Sequence, residues 1–102
     1  MRPLAPATSP QLVLSFDFDG TIHHPADTPP VDPGFFELIR NLRDERQAVW
    51  GINTGRSMAH VVEGLIESRF PFTPDWVVAR EREIWFPNNF GRWIGKDDWN
   101  KT

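Results

Sequence analysis

Asp17-Phe18-Asp19-Gly20-Thr21 places two carboxylates, a glycine and a hydroxyl directly after the apolar run Leu12-Val13-Leu14-Ser15-Phe16. In an extended segment residues i and i+2 point the same way, so Asp17 and Asp19 converge while Phe16 and Phe18 pack elsewhere. Convergent carboxylates repel one another, and a divalent cation relieves that repulsion. A set of oxygen donors favours Mg2+. Gly20 permits a tight turn that frees backbone amides to face an anion, and Thr21 adds a hydroxyl. The plainer reading is a strand end that opens a turn, for which Asp-Gly is a common pair. The preceding buried run and the second carboxylate favour the chemical reading, since sites gather at strand ends.

A second group, Asn53-Thr54-Gly55-Arg56-Ser57, follows another apolar run, Ala48 to Asn53. A hydroxyl, a glycine amide and a helix N-terminus meet there, which suits a phosphoryl oxygen. Alone, these residues read as an ordinary strand–turn–helix joint with Ser57 as cap. Beside the aspartate pair they read as half of a site.

Several elements must position these groups. Leu12–Phe16 reads as a buried strand whose continuous apolarity suits a parallel sheet covered on both faces. Asp32-Pro33 starts a helix, with Asp at the N-cap and Pro in the first turn. Phe35, Phe36, Ile39 and Leu42 give it an apolar face, and Arg40, Arg43 and Asp44 a polar one, with its end near Arg46. Ala48–Asn53 is a second strand. Ser57 caps a second helix striped with Met58, Val61, Val62, Leu65 and Ile66, which stops before Pro71. Trp76–Ala79 is a third strand, and Ile84-Trp85-Phe86 a fourth, antiparallel to it. The order predicts an α/β, Rossmann-like, doubly wound fold: a parallel sheet of three strands with flanking helices, plus a terminal β-hairpin. Residues 1–11, with Pro3, Pro6 and Pro10, read as a flexible tail, 12–87 as the core, and 88–102 as irregular.

Composition bounds the rest. A chain of 102 residues makes one domain, with a radius of gyration of roughly 13 Å. With 11 Lys+Arg against 14 Asp+Glu, the net charge of −3 leaves no basic stripe for nucleic acid. The absence of Cys excludes disulfides, thiolate zinc sites and cysteine nucleophiles. No apolar run approaches the ~20 residues of a membrane helix, and no secretory signal is visible, so a cytoplasmic location is the default expectation.

D-F-D-G-T and N-T-G-R, in this order and with one helix between them, resemble the first two motifs of the haloacid dehalogenase-like hydrolase superfamily, over about residues 12 to 90. The resemblance implies a phosphatase with a type-II cap, acting on a small phosphorylated metabolite. Asp17 would be the nucleophile that forms an aspartyl-phosphate. Asp19 would protonate the leaving group and then activate water. The Asp17 carboxylate and the Asp19 backbone carbonyl would hold Mg2+. Thr54 would hydrogen-bond the phosphoryl group beside the Gly55 amide, and Arg56 would reach substrate or cap. Gly20, Thr21, Thr54, Gly55 and Arg56 thus form the expected phosphate-binding set.

The family's later Lys and second acidic pair have no counterpart. Lys96-Asp97-Asp98 has the right residue types, but its spacing is too tight and no buried strand precedes it, so it reads as a solvated loop. The chain therefore resembles the N-terminal portion of a larger phosphatase, an incomplete core in which 88–102 begins a cap. Strand 12–16 would then be an exposed apolar edge, open to a second copy or to a C-terminal segment. The alternative is a noncatalytic interaction module built on half the fold. His23 and His24, an adjacent pair unsuited to clamping a metal, read as loop residues near the mouth of the site.

Overall fold

The computed structural model describes residues 1–100. The elements run β1 (Leu12–Asp17), α1 (Pro33–Arg46), β2 (Ala48–Asn53), α2 (Met58–Glu67), β3 (Trp76–Ala79), β4 (Glu83–Pro87), β5 (Trp93–Gly95) and the short α3 (Asp97–Asn100). They form one five-stranded sheet in the order β1-β2-β3-β4-β5. The first three strands are parallel, and β4 and β5 add antiparallel ones, so the expected terminal hairpin is present. The strand β5 and the turn of helix α3 lie where the sequence beyond Pro87 reads as irregular. The radius of gyration is 13.2 Å, in line with one domain of this length.

The helix starts follow from their caps. The Asp32 carboxylate accepts from Gly34 N at 2.9 Å, with Pro33 opening the helix. Ser57 accepts from His60 N at 3.3 Å. Helix α1 ends at Gln47, whose left-handed backbone (φ 52°) turns its N–H onto the carbonyls of Leu42 and Arg43.

The sheet is not doubly wound. Leu12, Leu14 and Phe16 pair with Ala48, Trp50 and Ile52, and Ile52 pairs with Val77, so these residues share one face. That face buries Ile39 of α1 together with Val61 and Leu65 of α2 in one core. Both helices therefore pack on the same side. Right-handed crossovers that keep stepping the same way across a sheet, β1 to β2 to β3, have this result. Trp50, fully buried, lies among Phe16, Phe35, Phe70 and Phe72, with ring centroids 5.5–6.4 Å away.

The expectation of a first strand covered on both faces is corrected accordingly. Its residues alternate half-buried and exposed, and Val13 is 67% exposed. Two helix assignments also change. Ile66 lies on the outer side of α2, and Gly64 takes the inward position. Arg43, assigned to the polar side of α1, is buried. Its guanidinium donates to the carbonyls of Ala48 and Ala5 and pairs with Asp75, which also accepts from Trp50 N. The N-terminal segment meets the same region. Thr73 N donates to the Arg2 carbonyl at 3.0 Å, and Leu4 packs against the core.

Candidate functional site

The carboxyl ends of β1 and β2 open into a cleft of about 290 Å3, lined by Asp17, Phe18, Asp19, Asn53, Thr54, Gly55 and Glu81. Asp17 is the last residue of β1, paired in register with Asn53 of β2, and its side chain is exposed. The chain then folds tightly back on itself. Ile22 N and His23 N both donate to the Phe18 carbonyl, and Gly20 N donates to the His23 carbonyl at 2.9 Å. Gly20 has φ 78°, which a side chain would resist. Its amide is thus engaged in closing the turn. Thr21 is exposed on that turn.

The second half of the site is held by the β3–β4 turn. Thr54 N donates to the Val78 carbonyl, and its hydroxyl, buried with the residue, accepts from Arg56 N at 3.1 Å. Arg80 N donates to the Arg56 carbonyl at 2.8 Å and Glu81 N to that of Thr54 at 2.9 Å. Arg80 and Glu81 are both left-handed (φ 51° and 63°), and Arg82 N closes the turn onto Ala79. Non-glycine residues in this conformation cost about 1 kcal/mol each or more. The bonds to the Thr54 and Arg56 carbonyls offset that cost and fix the loop that carries Gly55.

Arg56 meets Asp19 as a fork, with Nε donating to Oδ2 at 2.8 Å and Nη2 to Oδ1 at 2.6 Å. Its guanidinium also lies over the Phe18 ring, 5.3 Å from the centroid. His23 is buried and stacks on Phe18 at 5.0 Å, with Nδ1 3.7 Å from Asp19 Oδ1, the oxygen that accepts from Arg56 Nη2. The His23 Nδ1 makes no hydrogen bond.

The structure thus brings Asp17, Asp19, Thr54, Gly55 and Arg56 to one place, with Gly20 and Thr21 on the adjoining turn. Two neighbours stand beside them, of which only Glu81 has no signal in the sequence. Glu81, whose Oε1 is 3.7 Å from where a Cβ on Gly55 would stand, is distant in the chain and arrives only by way of the left-handed turn. His23 reads as a loop residue, yet it is packed beneath Asp19; the apolar Ile22 beside it was the available sign. Lys96 is exposed at the end of β5, four strand spacings or roughly 19 Å from β1, beyond the reach of Asp17.

No protein-family model matches the sequence, and no curated protein does. Among solved structures, the chain is similar to the crystal structure of yhjK, a haloacid dehalogenase-like hydrolase protein from Bacillus subtilis. The TM-score is 0.69 and the identity 21%, over 98% of this chain and 38% of that one. The fold is haloacid dehalogenase-like. This chain spans well under half the length of that neighbour, in keeping with an incomplete core of the HAD-like fold.

Whether the site fits a metal rests on its donors. The exposed Asp17 carboxylate and the carbonyl of Asp19 are hard oxygens of the kind Mg2+ takes, and Mg2+ commonly keeps several waters beside one or two carboxylates. Among the described residues there is no group of three or more His, Cys, Asp or Glu disposed around a metal. By chemical type, these two oxygens suit Mg2+.

No helix among the described residues is long and apolar enough to cross a membrane.

Proposed function

We propose that this chain carries the nucleophile half of a Mg2+-dependent phosphatase site that hydrolyses a small phosphoric monoester through an aspartyl-phosphate. The observation that carries this reading is the meeting of Asp17, Asp19, Thr54 and Gly55 in one cleft at the carboxyl ends of adjacent parallel strands, with Arg56 beside it on Asp19. That is where α/β sheets place their ligands.

The residues divide the work as follows. Asp17, exposed at the strand end, attacks phosphorus as its P–O ester bond breaks, and Asp19 supplies the proton taken up by the leaving oxygen. A water, giving its proton back to Asp19, then attacks the phosphoryl group and releases Asp17. Thr54 uses its oxygen to accept from Arg56 N, which leaves its hydrogen for a phosphoryl oxygen. Gly55, with no side chain, lets the phosphoryl group approach its backbone. Mg2+ held by the Asp17 carboxylate and the Asp19 carbonyl would offset the negative charge of phosphate beside carboxylates.

The test is phosphate release from p-nitrophenyl phosphate by the purified chain, with Mg2+, with chelator, and in Asp17→Asn. Turnover that needs metal and is abolished in Asp17→Asn is the expected result. A folded chain with no turnover above Asp17→Asn would end the claim that this chain is itself an enzyme.

One observation favours a second reading, a noncatalytic interaction module. The sheet face opposite the helices exposes Val13, Phe86 and Ile94 (67%, 45% and 55%), a surface suited to a partner. That reading predicts folding or solubility that depends on a partner, with no turnover in the same assay.

A further inference from the structure

The Arg56–Asp19 fork joins two loops, and neither partner is deeply buried: the arginine side chain is 31% exposed and the aspartate 50%. Ion pairs this exposed are weak, about 0.2–1 kcal/mol. The arginine has other anchors. Its guanidinium lies over Phe18, and its Nη1 comes within 3.4 Å of where a Cβ on Gly64 would stand, so ring and helix hold it from two sides. A cation–π contact of this kind contributes about 0.5–1 kcal/mol, comparable to the ion pair. The Arg56 backbone is bonded to Thr54 Oγ1 and Arg80 N, so any exchange of partner falls to the side chain. The cleft beside it is lined by three carboxylates, those of Asp17, Asp19 and Glu81, and by no Lys or Arg. A guanidinium fork fits phosphate as well as it fits carboxylate, and a phosphate dianion carries the greater charge.

We infer that Arg56 is an exchangeable anion clamp, resting on Asp19 in the free protein and passing to the phosphoryl group when substrate enters. The inference rests on the phosphatase reading and adds a regulatory step to it. While the fork is closed, both Asp19 oxygens are occupied by Arg56 donors. Substrate arrival removes those donors, and Asp19 then takes up from solvent the proton that it passes to the leaving oxygen. An ester without a dianionic phosphoryl group fails to draw Arg56 away and leaves Asp19 engaged. The contrasting arrangement is a fixed strut, in which Arg56 holds Asp19 in place throughout.

Inorganic phosphate, titrated with Mg2+ present, is the probe, and the arginine Nε–Hε NMR signals are the readout. The Arg56 signal is assigned by its loss in Arg56→Lys. Exchange predicts that phosphate shifts this signal saturably. It also predicts that Asp19→Asn, which removes the competing carboxylate, binds phosphate about two- to five-fold more tightly. That gain should vanish when Arg56→Lys is added, because an ammonium cannot form the fork. Glu81→Gln removes an equal charge from the same cleft, so the Asp19→Asn gain must exceed the gain it gives. An Arg56 signal that stays still while phosphate binds, or a gain no larger than that of Glu81→Gln, overturns the proposal. So does a gain that persists in the Arg56→Lys background, or an absence of phosphate binding to both wild type and Asp19→Asn. If Asp19→Asn loses the folded spectrum, the wild-type Arg56 shift decides alone. The phosphatase reading is judged separately, by Mg2+-dependent hydrolysis and its loss in Asp17→Asn.

Discussion

Thr54 shows how much one side chain carries here. Its amide continues the β2–β3 pairing, its carbonyl receives Glu81 N, and its hydroxyl receives Arg56 N. The buried oxygen is therefore already an acceptor, and the hydroxyl hydrogen is left to donate into the cleft. Thr54→Val keeps the shape and removes both functions. If the phosphatase reading holds, turnover should fall by about 10²–10³, the usual cost of losing one preorganised donor to a developing charge. Stability should fall by about 1 kcal/mol as Arg56 N loses its acceptor. Thr54→Ser should retain most of both. Steady-state kinetics and urea titration of the two variants separate the effects, and a Thr54→Val chain with unchanged kcat would remove Thr54 from the phosphate site. The type and place of Thr54 were readable in the sequence because a hydroxyl and a glycine follow an apolar run. The Arg56–Asp19 fork was not, since nothing in either loop records which side chains meet across strands.

At the scale of elements, what the sequence made legible were the features written locally. Asp32-Pro33 and Ser57 begin their helices where their side chains cap them, and the three parallel strands lie where the apolar runs do. The features that escaped depend on partners distant in the chain. Arg43 follows the polar pattern of α1, yet it is buried because Asp75 and the Ala5 and Ala48 carbonyls together satisfy it. The β3–β4 turn needs two left-handed residues, for which Asn-Gly is the usual signature, but Arg80-Glu81 occupies it. The alternation along β1 has a signal in the sequence, Ser15 and Asp17 on one face against Leu12, Leu14 and Phe16 on the other, but Val13 on the exposed face lends the run a continuous apolar look. Gly51 is another case of long-range fit. A Cβ there would come 1.9 Å from the Trp76 ring, which lies over it from the neighbouring strand. Gly51→Ala should destabilise the chain by about 1–3 kcal/mol through overpacking. Adding Trp76→Leu should recover part of that loss. Urea midpoints of the two single variants and the double test this, and additive losses would show that the ring does not impose the glycine.

The whole molecule has one covered sheet face and one bare one. Val13 pairs with Val49, Gly51 with Trp76, Val78 with Ile84 and Phe86 with Ile94, so these residues share the face away from the helices. β1 also ends the sheet, which leaves its outer edge without a strand partner among the described residues. A long apolar edge next to an exposed apolar face is a template for pairing with another chain. The purified chain should therefore self-associate as its concentration rises, in sedimentation velocity experiments. Val13→Lys puts a charge on the bare face at the edge strand and should shift the population toward monomer. Ile66→Lys, on the outer side of α2, replaces a residue about as exposed (63%) and should leave association unchanged. If the two substitutions act alike, general surface hydrophobicity drives the association. If the wild-type chain stays monomeric throughout, the edge is protected by its own geometry and β1 is not a docking strand for a second copy.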